Sequence, residues 1–151
     1  MNAVVIRKYE PQDFDQLCLV MDSARRQELA NENLAEVFVA LRDAPYLKYF
    51  LSLNIEVAVK NKHLVGFVGY GRHRLEFLYV DSNFQKQGIA TALMKSTLAK
   101  LKRPVKLSVF SNNEVAKNLY KKFGFKVVDT VVEKWSDEVP QIFSEDTMEL
   151  E

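Results

Sequence analysis

Between Ile55 and Val80 the hydrophobic and polar positions alternate with period two, whereas on either side of this stretch they recur at helical spacing. "IEVAVK", the turn "NKH", "LVGFVGY", a second turn near Gly71 to His73, and "RLEFLYV" predict a three-stranded antiparallel meander. Upstream, "AVVIRKY" (3 to 9) reads as a strand, and Pro11 stands where the first helical position tolerates a proline. The helix after it carries Phe14, Leu17, Cys18 and Met21 on one stripe, which fades into the polar "RRQELANEN" at 25 to 33. A second helix is predicted over Leu34 to Leu41, with Ala44-Pro45 as a break and an aromatic cluster, Tyr46, Tyr49 and Phe50, after it.

Downstream of the meander, residues 88 to 102 place Ile89, Leu93, Thr97 and Leu101 on one stripe, with Ala90, Met94 and Leu98 beside it. "VKLSVF" (105 to 110) is a strand. "SNNE" then suggests a capping box between Ser111 and Glu114, starting a helix that buries Val115, Ala116, Leu119 and Tyr120 or Phe123 and stops at Gly124. Strands around Phe125 to Trp135 and Gln141 to Leu150 follow. This order predicts one α/β domain over residues 1-151, with a mixed, mostly antiparallel seven-stranded sheet and helices on both faces.

Composition narrows the classes of function. The 151 residues are 48% hydrophobic and 27% charged, enough for one domain with a sizeable core. Lysine and arginine number 21 against 20 acidic residues, so a net charge of +1 argues against nucleic acid or an anionic membrane as the main partner. Cys18 is the lone cysteine, and "MNAVVIRKYE" has no leader pattern, so a reducing, cytoplasmic setting is expected. The apolar runs fall short of the ~20 residues a membrane span needs. No Cys/His cluster has metal-ligand spacing and no serine or cysteine nucleophile motif occurs, so no metal is expected. His63 and His73 fall in turns.

Candidate chemistry concentrates behind the third meander strand. After Val80 the chain passes through "DSNFQKQGIAT", so Gln85, Lys86, Gln87, Gly88, Ile89, Ala90 and Thr91 form a loop and the first turn of a helix. The first N–H groups of a helix have no partner within it, and the helix dipole points its positive end at them. Gly88 lets the backbone approach a bulky ligand, Ala90 adds only a methyl, and Lys86 adds a cation, which together make a seat for a phosphate or pyrophosphate. The plainer alternative is an ordinary strand-to-helix turn containing a glycine.

These residues resemble a signature of the GNAT superfamily of acyl-CoA-dependent N-acetyltransferases: arginine or glutamine, two residues, glycine, one residue, then glycine or alanine, here Gln85, Gly88 and Ala90. A second stretch, "SVFSNNEVAKNLYKKFGF" (108 to 125), is similar to another family signature through Asn113, Ala116, Tyr120, Gly124 and Phe125. The resemblance covers residues 3 to 150 in element order and 64 to 128 at the level of motifs. The first helices, where such families build substrate sites, have no clear match.

The resemblance implies a GNAT-like acyl-CoA N-acyltransferase fold. In it the strands "RLEFLYV" and "VKLSVF" splay apart, and the pantetheine arm of acetyl-CoA lies between them like an added strand. Backbone groups of Leu78, Tyr79 and Val80 would meet the pantetheine and the thioester carbonyl, Gln85 through Thr91 would hold the pyrophosphate, and Asn113 would bond the pantetheine or the loop beneath it, with Ala116 also at the cofactor. An N–H of the strand 75 to 80 would stabilise the oxyanion. Tyr120 would protonate the departing thiolate, unless it is simply a core aromatic. Glu76, which strict alternation puts on the same strand face as Leu78 and Val80, would take the proton of the amine, unless it only pairs with Arg74, Arg72 or Lys106. The implied reaction is direct transfer of an acetyl group to a primary amine, small molecule or peptide, in a ternary complex; a non-catalytic acyl-CoA-binding sensor or assembly module is the alternative. Homodimers are common among relatives. Tyr46, Tyr49 and Phe50, and the acidic Glu133, Asp137 and Glu138 around Trp135, could border the acceptor, although packing and solvated charge explain them as well.

Overall fold

The computed structural model describes residues 3–151. The chain runs β1 (Val5–Lys8), α1 (Phe14–Asn31), α2 (Leu47–Ser52), β2 (Asn54–Lys60), β3 (His63–Tyr70), β4 (Leu75–Val80), α3 (Ile89–Leu98), β5 (Val105–Phe110), α4 (Glu114–Lys122), β6 (Lys126–Lys134) and β7 (Ile142–Leu150). The seven expected strands are present, but in two antiparallel sheets, β1-β2-β3-β4 and β5-β7-β6. A single parallel bridge, Arg74 to Lys106, joins them.

Alternation in the meander sorts side chains to two cores. Ile55, Val57 and Phe67, with Phe77 and Tyr79, pack on Leu17 and Met21 of α1 and Phe50 of α2. Ala58, Val68 and Leu75 face the other way, onto Ile89, Leu93 and Met94 of α3, and this core continues through Leu107 and Met148 to Tyr120 of α4. Each fully buried large side chain contributes about 1.5–3 kcal/mol. Helices therefore cover both faces, as expected. At Gly66 a Cβ would meet the Tyr79 carbonyl oxygen at 3.1 Å and Ile89 at 3.3 Å, so the lack of a side chain there lets α3 lie close to the sheet.

Four local expectations are corrected. α1 does not fade at residue 25 but continues to Asn31, because the stripe Leu17–Met21 is extended by Arg25, Glu28 and Leu29 at helical spacing. The segment 34 to 41 is not a helix: single 3-10 turns at Ala35–Val37 and Leu41–Asp43 flank extended residues. Leu34 and Leu41 are each fully buried, and the Leu41 N–H donates to Asp22 Oδ1 at 2.9 Å, which anchors the segment by tertiary contacts. The Ser111–Glu114 capping box is absent. Asn113 caps α4 by accepting from the Ala116 N–H at 3.2 Å, while the Ser111 hydroxyl donates to Asp146 at 2.6 Å. Finally, Val115 is 85% exposed, one position off the buried stripe of Ala116, Leu119 and Tyr120.

Candidate active site between the two sheets

β4 and β5 are tied only at their beginnings. Lys106 N–H donates to the His73 carbonyl and Lys102 N–H to that of Arg72, both at 2.9 Å. Beyond the Arg74–Lys106 bridge no further pairing between the two strands occurs among the described residues, although the Arg74 guanidinium reaches across to Ser108 Oγ at 2.6 Å. The result is a wedge with two unpaired strand edges. Asp81 N–H donates to Val65 at 2.8 Å on the β3 side, and Tyr79 stands opposite Phe67. Alternation along β4 then turns the peptide groups of Leu78 and Val80 toward the open edge and those of Tyr79 toward β3.

The β3–β4 register steps from Gly69–Phe77 to Tyr70–Leu75, which leaves Glu76 as the extra residue of a β-bulge. This corrects the expectation that Glu76 shares a face with Leu78 and Val80. The bulge turns it toward α2, where the Tyr49 hydroxyl donates to its Oε2, and Arg74 Nε donates to Oε1 at 2.7 Å. Of the three cationic partners expected for Glu76, Arg74 is the one it pairs with.

At the mouth of the wedge, Lys86 and Gly88 both take left-handed backbone, at φ 62° and 80°. Gly88 is the N-cap of α3 and no side chain caps the helix, so the first-turn N–H groups are free to meet a ligand. Gln85, Lys86, Gln87 and Gly88 are exposed, Ala90 and Thr91 half-buried, and Ile89 anchors the turn in the core. Lys60, at the end of β2, was not anticipated. Its Nζ donates to Gln87 Oε1 at 3.0 Å and lies 6.0 Å from the Phe84 ring, bringing a second cation to this loop. No sequence spacing links residues 60 and 87; only the β2–β3 hairpin brings them together.

Behind the wedge lies a cavity of about 290 Å³. Its walls come from α1 (Arg25, Glu28), β4 (Glu76, Phe77, Tyr79), β5 (Ser108, Val109, Phe110) and the β6–β7 hairpin (Trp135, Phe143, Glu145), with Tyr46 before α2. The Tyr79 hydroxyl donates to Glu28 Oε1 at 2.8 Å, and Arg25 Nη1 donates to the same oxygen at 2.5 Å. Burial first, then the charge of Glu28, push the Tyr79 phenol well above its ordinary pKa. Glu145 forms no ion pair or side-chain hydrogen bond among the described residues. Burial pushes its carboxyl above the usual range; Arg74 and Arg25 pull it down, while Glu133 and Glu28 add to the rise.

Arg25, Glu28 and Glu145 escaped the sequence reading. The first two read as part of a solvated polar run, although they continue the buried stripe of α1; Glu145 lies on a strand whose alternation alone does not show what it faces. Of the aromatic cluster, Tyr46 lines the cavity, Phe50 is core and Tyr49 holds Glu76. Trp135 also lines it, whereas Asp137 is paired with Lys134 at 2.5 Å and Glu133 and Glu138 are not among the wall residues.

Tyr120 is 8% exposed, and its hydroxyl has no hydrogen-bond partner among the described residues. Burial, then the charge of Glu28, hold its phenol well above the ordinary value. α4, which carries it, is fixed at its N-terminus by Asp146. That carboxylate, 3% exposed, receives Lys117 Nζ at 2.7 Å, Ser111 at 2.6 Å and Thr130 at 2.8 Å. Asn113 spends one oxygen as the cap, and Ala116 packs half-buried beside Tyr120.

An α/β fold whose central strands part around an uncapped helix N-terminus, with a cavity lined by carboxylates and aromatics behind the gap, defines a class of split-sheet proteins. The Acetyltransferase (GNAT) family model matches residues 15–125, and the chain belongs to that family. An uncharacterized N-acetyltransferase of Escherichia coli (strain K12), YafP, is 27% identical over 132 residues, covering 85% of each chain. Among solved structures, yncA of Salmonella typhimurium with its cofactor acetyl-CoA superposes with a TM-score of 0.76 at 20% identity, over 99% of this chain and 94% of that one. A ribosomal-protein-alanine N-acetyltransferase from Brucella melitensis gives 0.74 at 20% identity, over 97% and 98%. At these identities the structural likeness establishes the fold. No helix among the described residues is long and apolar enough to cross a membrane.

Proposed function

We propose that the protein is an acetyl-CoA-dependent N-acetyltransferase that moves an acetyl group to a primary amine by direct attack in a ternary complex. The observation that carries this reading is the wedge: two unpaired strand edges leading from a free helix N-terminus to a cavity that holds carboxylates. Acetyl-CoA fits each part. Lys86, Lys60 and the N–H groups from Gly88 to Thr91 take the pyrophosphate, and Leu78 and Val80 offer peptide groups to the pantetheine amides. A relative in the same fold holds acetyl-CoA. An N–H of β4 stabilises the oxyanion formed when the amine attacks.

Attack requires a neutral amine, and an alkyl ammonium has a pKa near 10.4. Glu76 takes that proton, directly or through water shared with Glu28; each of its oxygens keeps a lone pair beyond the bonds from Arg74 and Tyr49. Tyr120 then protonates the departing thiolate. Its raised pKa keeps the phenol protonated at any working pH, although it makes the acid weaker than a free tyrosine. The same desolvation raises the proton affinity of a thiolate beside it, so the two shift together and the transfer stays close to balanced.

Thiol release from acetyl-CoA over a panel of amines tests this. Tyr120→Phe should lower kcat by about 10²-fold or more with coenzyme A affinity retained. Coenzyme A binding with no thiol release for any amine, in either form, would instead identify a non-catalytic acyl-CoA-binding module.

A further inference from the structure

We infer that the acceptor is a small diamine or polyamine, with one nitrogen kept charged against Glu145 while another reaches the wedge to be acetylated; this rests on the acetyltransferase reading above. Three carboxylates, Glu28, Glu76 and Glu145, line the cavity. Two are already neutralised by protein cations: Glu28 by Arg25 at 2.5 Å, and Glu76 by Arg74 at 2.7 Å. Glu145 forms no ion pair of its own among the described residues, since the nearby Arg74 and Arg25 are engaged by Glu76 and Glu28, and its wall also carries Trp135 and Phe143 of the same hairpin, with ring centroids 5.6 Å apart.

A half-buried carboxylate with no ion-pair partner is unfavourable in the free protein, in keeping with the upward direction of its pKa. A ligand that brings a permanent positive charge removes the cost, and aromatic faces beside the carboxylate stabilise the same charge. The attacking nitrogen cannot be that charge, because it must lose its proton to react. A second nitrogen is therefore needed. The reacting end of the cavity is the β4 side, where Glu76, the base of the acetyltransferase reading, lines the wall together with Phe77 and Tyr79. The volume, about 290 Å³, lies at the lower end of small-molecule sites and suits a short aliphatic chain. An amino acid would set its own carboxylate against Glu145 and be repelled.

Steady-state thiol release with 1,4-diaminobutane, butylamine and 4-aminobutanoate, for the native protein, Glu145→Gln and the exposed control Glu138→Gln, tests the inference. Expected are a kcat/KM order of diamine, then monoamine, then amino acid, and a KM for the diamine raised about tenfold or more in Glu145→Gln with kcat little changed. The monoamine KM should move less than about twofold, and Glu138→Gln should match the native protein. Equal kcat/KM for diamine and monoamine, or an equal loss for both in Glu145→Gln, overturns the inference and leaves the acetyltransferase reading standing. If coenzyme A binds but no amine releases thiol, that reading falls. Calorimetry of 1,4-diaminobutane into the coenzyme A complex then decides the inference by itself: binding lost in Glu145→Gln supports it, and no binding to the native protein overturns it.

Discussion

Asp146 shows how one carboxylate fixes the site from outside it. Burial opposes its charge, but Lys117, Ser111 and Thr130 outweigh burial and hold its pKa below the ordinary 3.8. A depressed acid contributes stability above its unfolded pKa and loses that contribution as pH falls through the folded value. Replacing it by asparagine leaves Lys117 buried without a counter-charge, at a cost of about 3–5 kcal/mol. Thermal melts should show a large deficit for Asp146→Asn at pH 7 that begins to shrink below about pH 4 and closes only as pH falls through the lower folded pKa of the native carboxylate. Glu145 behaves in the opposite sense. Its pKa is raised in the fold, so stability falls as pH rises from the unfolded value of 4.5 toward the folded one, and at pH 7 the charge is a burden. Glu145→Gln should therefore melt no lower than the native protein at pH 7. A clear loss of melting temperature would mean that Glu145 is structurally paired.

At the scale of an element, the first turn of α3 shows why a glycine stands there. Its φ of 80° is the left-handed region, while a Cβ would meet nothing within 4 Å, so the constraint is backbone strain rather than space. Gly88→Ala should cost about 1 kcal/mol and weaken coenzyme A binding about fivefold to tenfold, since relaxing φ tilts the N–H groups away from the diphosphate. Unchanged affinity by calorimetry would show that the turn is only a connection. Elements also mark how far the pattern was legible. The meander and β5 follow from alternation, because each residue's face is set by a period of exactly two positions per repeat. α1 was cut short because its stripe turns polar where it borders the cavity, and a hydrophobic count cannot distinguish a polar wall from a solvated face. The 34 to 41 segment failed for the reverse reason: Leu34 and Leu41 carry helical spacing, but each is buried in a different pocket of tertiary contacts.

For the whole molecule, the separation of the sheet into two sets of strands is the feature on which the proposed function rests. A ligand that bridges β4 and β5 binds the folded chain alone, so coenzyme A at about 100 times its Kd should add about 2.7 kcal/mol of stability. A thermal shift that grows with coenzyme A concentration, and is smaller for Gly88→Ala at equal concentration, checks this; no shift at saturating concentration would remove the wedge as the binding place. The sequence by itself determined the number and order of the strands, the glycine turn, and the tyrosine of α4, because local periodicity and backbone conformation are short-range properties of neighbouring residues. Only the tertiary structure decided that β4 and β5 part after one bridge, that a bulge turns Glu76 to Tyr49 and Arg74, and that Lys60, Arg25, Glu28 and Glu145 gather from distant segments. Those outcomes depend on how whole sheets and helices pack, and two residues that meet across a cavity carry no fixed spacing along the chain.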